Sequence, residues 1–114
     1  MIRKVILHGS GMKHDAGKPL WWLLPWEEIE DVVKILTFGA KKYKPNNWRK
    51  VDGGEERYLN AALRHISAIG KGEYLDKETK SPHYAHAICS LLFAFWHSRG
   101  RANGKPDGNS NTSV

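Results

Sequence analysis

Three stretches of this chain repeat their apolar residues at the period of an α-helix, and little else in the sequence can form a core. In the first, Ile29, Val33, Leu36, Ala40 and Tyr43 recur at offsets of 4, 7, 11 and 14, which line up on one helical face. Pro25 stands where a first turn tolerates proline, and Glu27, Glu28, Glu30 and Asp31 complement the positive end of the helix dipole. The pattern predicts a helix over about residues 26 to 43. A second stripe, Leu59, Ala62, Leu63, Ile66 and Ile69, predicts a helix over about 55 to 70, stopped by Gly70 and Gly72. Pro82 opens a third, over about 82 to 99, with Tyr84, Ile88, Leu91, Leu92 and Phe95 as its core face.

The chain's 114 residues suit one domain, expected over 1–99. The expected fold is all-α: a small three- to four-helix bundle with an irregular Trp-rich N-terminal segment. Arg3 to Leu7 could form a short strand before that segment, and Gly, Asn, Ser, Asp and Pro leave residues 100–114 as a disordered tail. Three such helices make a thin bundle, and the Trp-rich segment before the first must either cap that core or join a partner's; self-association into a homo-oligomer is expected.

One cysteine, Cys89, forms no internal disulfide, and no stretch reaches the ~20 apolar residues of a membrane span. The expectation is a cytoplasmic protein without a membrane partner. A formal charge of +6 favours anionic partners, whether nucleotides or nucleic acids.

Chemistry-bearing residues gather in four places. On the third helix, His83, His86, Ser90 and His97 fall within a ~60° arc beside Ala87 and Ala94, leaving room for a ligand, a metal or another helix. Histidines three apart can share a metal ion, and Asp76 in the preceding loop can complete the set. On the second helix, His65 borders the core and Arg64 faces the polar side, where a guanidinium grips phosphate oxygens. In Lys13-His-Asp-Ala-Gly-Lys18, Lys13 and Lys18 flank Asp15 and a glycine, an arrangement suited to phosphate but lacking a P-loop's spacing. In Lys41-Lys-Tyr-Lys-Pro-Asn-Asn-Trp-Arg-Lys50, Lys41 and Lys42 lead a set of five cations; Tyr43 and Trp48 offer rings for a base, and Asn46 and Asn47 groups to read its edge. Each has a structural alternative: a solvated helix face, a satisfied boundary histidine, lysines answering a helix dipole. The run Glu27-Glu-Ile-Glu-Asp31 compares only loosely with the acidic metal box of MazG-type pyrophosphohydrolases, because Glu27 and Asp31 point away from the apolar stripe.

Six motifs in order carry a family resemblance: Lys13-x-Asp-x-Gly-Lys-Pro, Leu24-Pro-Trp, Phe38-Gly-Ala-Lys-Lys-Tyr with Asn47-Trp, Leu63-Arg-His, Gly72-Glu-x-x-Asp and His83-x-x-His-Ala. Over about residues 12 to 96 the chain resembles the phage family described as the N-terminal domain of dATP/dGTP diphosphohydrolases, relatives of the MazG-like enzymes. The resemblance implies an all-α protein of phage origin. It further implies a metal-dependent nucleoside triphosphate diphosphohydrolase that converts purine deoxynucleotides to monophosphate and pyrophosphate, using Mg or Mn, with Zn as the alternative. The second half of a MazG acidic box is missing, so the metal ligands it implies are His65, Asp76, His83 and His86. His65 and Asp76 then belong to the catalytic machinery, with Glu73 as base; Lys13, Lys18 and Arg64 hold phosphates, and Tyr43 and Trp48 the base. Two other readings stand beside this one: a non-catalytic binder of nucleotides or nucleotide second messengers, serving counter-defence, and a small nucleic-acid-binding protein.

Overall fold

A computed structural model describes residues 11–102, and the expected strand at Arg3 to Leu7 and most of the expected tail lie outside them. Three α-helices form the fold: α1 Trp26–Lys42, α2 Gly54–Gly70 and α3 His83–Ala102. Short 3₁₀ turns at Trp21–Leu23 and Asn47–Lys50 precede α1 and α2. Among the described residues there is no strand, only an isolated antiparallel bridge between Leu75 and Pro82. The all-α expectation holds, and no helix among these residues is long and apolar enough to cross a membrane.

The ends of the helices follow their capping residues. At α1, Ile29 N–H donates to the Pro25 carbonyl (3.0 Å) with Glu27 and Glu28 in the first turn; Lys41 and Lys42 occupy the last. At the C-terminus of α2, Glu73 N–H bonds the Ala68 carbonyl and Gly72 N–H the Ile69 carbonyl, both at 2.9 Å. That is a Schellman motif, and Gly72 holds its left-handed position at φ +90°. The chain then runs through a fastened loop: His83 N–H reaches the Tyr74 carbonyl and Asp76 N–H the Ser81 carbonyl, both at 2.8 Å. Two places where the spine of the fold is fixed are thus the two ends of the segment that carries Glu73, Asp76 and Thr79.

α3 is the central helix and packs against both others. Val32 and Ile35 of α1 meet Ala85, Cys89 and Phe93 of α3. On the arc turned to α2, α3 buries His83, Ala87, Ser90, Ala94 and His97, opposite a fully buried Ala62. Small side chains on that arc let the two helix axes approach closely. Here the expected orientation is reversed: the imidazole-and-alanine arc lies inside, while Tyr84, Ile88, Leu91, Leu92 and Phe95, the expected core face, are exposed. α1 likewise turns Val32 and Ile35 inward and leaves Val33 and Leu36 outside, a rotation of one residue, or about 100°.

The third helix also runs past its expected end at 99 to Ala102. Arg101 there grips Glu55 with both arms of its guanidinium, Nε to Oε1 at 2.9 Å and Nη2 to Oε2 at 2.7 Å, tying the C-terminus of α3 to the start of α2.

Candidate functional site

Where α2, the 73–82 loop and α3 meet, three imidazoles and two carboxylates form one network. His65 Nδ1 and His83 Nδ1 are 2.8 Å apart. His83 Nε2 faces Glu73 Oε1 at 3.1 Å, so this nitrogen donates to the carboxylate, and in the neutral ring that leaves Nδ1 with a lone pair. Asp76 Oδ1 accepts from Glu78 N–H and Thr79 N–H, both at 2.9 Å, and from the Thr79 hydroxyl at 3.3 Å. Its other oxygen keeps its capacity to bind. One donor atom from each of His65, Asp76 and His83 lies within 4.8 Å of the other two.

Two nitrogens each ~2.1 Å from a single ion stand about 3.0 Å apart at an octahedral angle and about 3.4 Å at a tetrahedral one, and the 2.8 Å between the two Nδ1 atoms is nearer the first. The donor chemistry of two imidazoles and one carboxylate therefore fits a divalent transition metal, and it fits Mn or Zn better than Mg, which takes oxygen ligands. Glu73 stands behind His83 where a carboxylate stands behind a histidine that ligates a metal, positioned to fix its ring plane.

His86 belongs to the same network but points elsewhere. It stacks on His65 with ring centroids 4.6 Å apart and planes 12° off parallel, and its Nε2 bonds Thr79 Oγ1 at 2.6 Å. It walls the cluster and lies outside the convergent three. Burial, then the neighbouring His86 and His83, push His65 down to about 4 from 6.5, so its ring is neutral at pH 7. Burial also lowers His86. For Asp76 burial acts in the opposite sense, but the N–H groups of Thr79 and Glu78 outweigh it and hold the carboxyl below its usual value.

Beside this cluster a cleft of about 980 Å³ opens between the C-terminal half of α1, the 43–48 segment and α2, floored by Cys89 and Phe93 of α3. Phe38, Tyr43, Trp48 and Tyr58 supply aromatic surface, and Lys42, Lys44, Arg57 and Arg64 supply positive charge. Asn46, Asn47 and Asn60 add amides. Trp48 is held by stacking on Phe93 at 4.4 Å, and the Arg49 guanidinium lies over its ring at 4.9 Å. Two links join cleft and cluster: Arg64 precedes His65 on α2, and Lys42 Nζ pairs with Glu78 Oε2 at 3.1 Å in the loop of Asp76.

Of the residues singled out in the sequence, Lys42, Tyr43, Asn47, Trp48 and Arg64 line the cleft; His65, Glu73, Asp76, His83 and His86 form the cluster. Lys41 does not line the cleft. Neither do Lys13, Asp15 and Lys18, which pair with one another at 3.9 and 4.0 Å on the exposed surface. The acidic run of α1 stays at the surface, with Asp31 3.9 Å from Lys34. His97 is a packing residue: it is 2% exposed, bonds the Trp48 carbonyl at 3.0 Å and fills the space above Gly54. Sequence reasoning missed Arg57, Tyr58 and Asn60. Arg57, Asn60 and Arg64 sit at offsets of 3 and 7, a helical polar face that periodicity could have found.

Residues 8–105 match the model of the family described as dATP/dGTP diphosphohydrolase, N-terminal. The chain belongs to this family. All three helices, the cleft and the histidine cluster lie inside the matched span, somewhat wider than the resemblance read from the motifs. A curated dATP/dGTP diphosphohydrolase from Salmonella phage PMBT28 is 37% identical over 87 residues, which are 76% of this chain and 29% of that protein. The chain thus spans less than a third of that relative's length. No solved structure matches it.

Proposed function

We propose that this domain receives a purine deoxynucleoside triphosphate in the cleft and acts in its hydrolysis to monophosphate and pyrophosphate, with a divalent ion at His65, Asp76 and His83. The convergence of these three donors beside a cleft of rings and cations is the observation that carries the reading. Family membership and the name of the phage relative support it.

In this reading Tyr43 and Trp48 present π-faces to the base, while Asn47 and Asn60 have donors and acceptors for its edge. Arg57, Arg64 and Lys42 take the phosphate oxygens; a guanidinium does so through two parallel bonds, a Lys as a point charge. A bound divalent ion would supply charge neutralisation on the phosphates and a water of lowered pKa. Asp76 is preset by its loop N–H groups, and the two Nδ1 atoms already stand 2.8 Å apart. Glu73 keeps His83 in the Nε2–H form, and its outer oxygen is the acceptor for a proton released by the attacking water.

The decisive experiment incubates the pure protein with each dNTP and Mn²⁺ or Mg²⁺ and follows pyrophosphate together with the nucleotide product. Release of pyrophosphate from dATP or dGTP, with the monophosphate formed in equal amount, is expected. The share of the phage relative that this chain covers favours a second reading, a nucleotide-binding domain that does not cut by itself. Measurable dNTP binding with intact nucleotide after prolonged incubation would establish that reading and overturn the first.

A further inference from the structure

The α2–α3 hairpin has a second apolar face that nothing among the described residues covers. α2 and α3 run antiparallel, since His65 meets His83 at one end and Gly54 meets His97 at the other. Along α2, Leu59, Leu63 and Ile66 follow offsets of 4 and 7, about 100° from the arc that packs on α3. Along α3, Ile88, Leu91, Leu92 and Phe95 occupy the arc left after α1 and α2 have taken theirs. Helical geometry puts the two stripes side by side on the face of the hairpin turned away from α1 and the cleft.

These seven side chains are between 43% (Ile88) and 56% (Phe95) exposed, and none is charged. At about half exposure each they leave on the order of 600 Å² of residue surface open, most of the ~800 Å² that each partner gives to a stable complex. That is also at the upper limit of what a lone soluble domain leaves in one patch, about 300 to 600 Å². The buried core of the single chain, by contrast, is made of Val32, Ile35 and several alanines, with no large side chain fully buried.

We propose that a second copy of this chain covers this face, the two α2–α3 hairpins closing into a four-helix bundle about a two-fold axis. Two apolar stripes presented by two antiparallel helices are half of such a bundle, and an isologous interface needs only the one self-complementary patch. The area supports this occupant: two equal patches of this size cover each other. Each protomer's cleft and histidine cluster then face outward, on the far side of its hairpin, and both remain open to ligand.

Equilibrium sedimentation of the full chain at tens of micromolar tests this. The expected result is twice the chain mass of 13.0 kDa, falling to the single mass in Leu63→Glu and Leu91→Glu with helical circular dichroism retained. A monomeric wild type, or a dimer that both variants leave intact, overturns the proposal. Should the charged variants lose their helical signal, Leu91→Cys decides. Oxidised, it is expected to give a disulfide-linked dimer that retains wild-type mass, because native Cys89 is only 3% exposed. No cross-link between protomers would overturn the assignment, and neither result depends on whether the cleft hydrolyses nucleotide.

Discussion

In the proposed site Asp76 has two jobs, and the two can be separated. Oδ1 holds the Glu78 and Thr79 N–H groups and so shapes the loop; the carboxylate's negative charge is what the proposed ion would use. Asp76→Asn keeps a carbonyl oxygen for the loop and removes the negative charge. Turnover is expected to drop about 100-fold or more while the melting temperature moves little; Asp76→Ala is expected to lower both. His65 gives a pH prediction. Its folded value of about 4 lies below the unfolded 6.5, so protons bind the unfolded chain first as pH falls. The contribution of neutral His65 to stability is therefore whole above pH 6.5 and lost progressively down to about 4. Melting curves of the metal-free protein between those limits are expected to fall steeply, and less so in His65→Asn; an NMR titration placing His65 near 6.5 would contradict the assignment. The residues of the cluster were legible because His, Asp and Glu have few reasons to gather around a helix start. The division of labour was not: that Glu73 orients His83 and that Thr79 occupies His86 depends on a loop closed by backbone bonds no spacing reveals.

At the scale of elements, the helices were legible to within a residue except at the end of α3, which runs three residues further, because Pro25, the Gly70–Gly72 pair and Pro82 punctuate them. Which face each helix buries was not. On α3 the periodicity marks two arcs, one large and apolar, one small with imidazoles, and hydrophobicity assigns the first to the core. Close approach decides otherwise: Ala87, Ser90 and Ala94 let α2 come near, as bulky Leu91 and Phe95 would not. Gly54 belongs to the same close contact. A β-carbon there would overlap the His97 imidazole, so Gly54→Ala is expected to cost about 2 kcal/mol, and His97→Ala in that background to recover part of it. Urea unfolding of the two single variants and the double variant measures both; additive losses would mean that the two residues do not share this space.

Across the whole molecule, the central α3 separates two surfaces of opposite character: an outward apolar face, and a cleft with four cations beside the metal-type cluster. A charge of +6 says only that anions are favoured; the fold decides where, gathering Lys42, Arg57 and Arg64 from two helices onto one opening. Arg57→Ala and Arg64→Ala are each expected to weaken dNTP binding about tenfold, with the wild-type helical signal retained. Lys13→Ala, on the separate exposed segment, is expected to leave it unchanged. The account rests most heavily on the three converging donors, and titration of Mn²⁺ into metal-free protein tests them most directly. One ion per chain is predicted for the wild type, and none in His83→Gln under the same conditions; a wild type that takes up no ion, or a variant that binds as the wild type does, would contradict it.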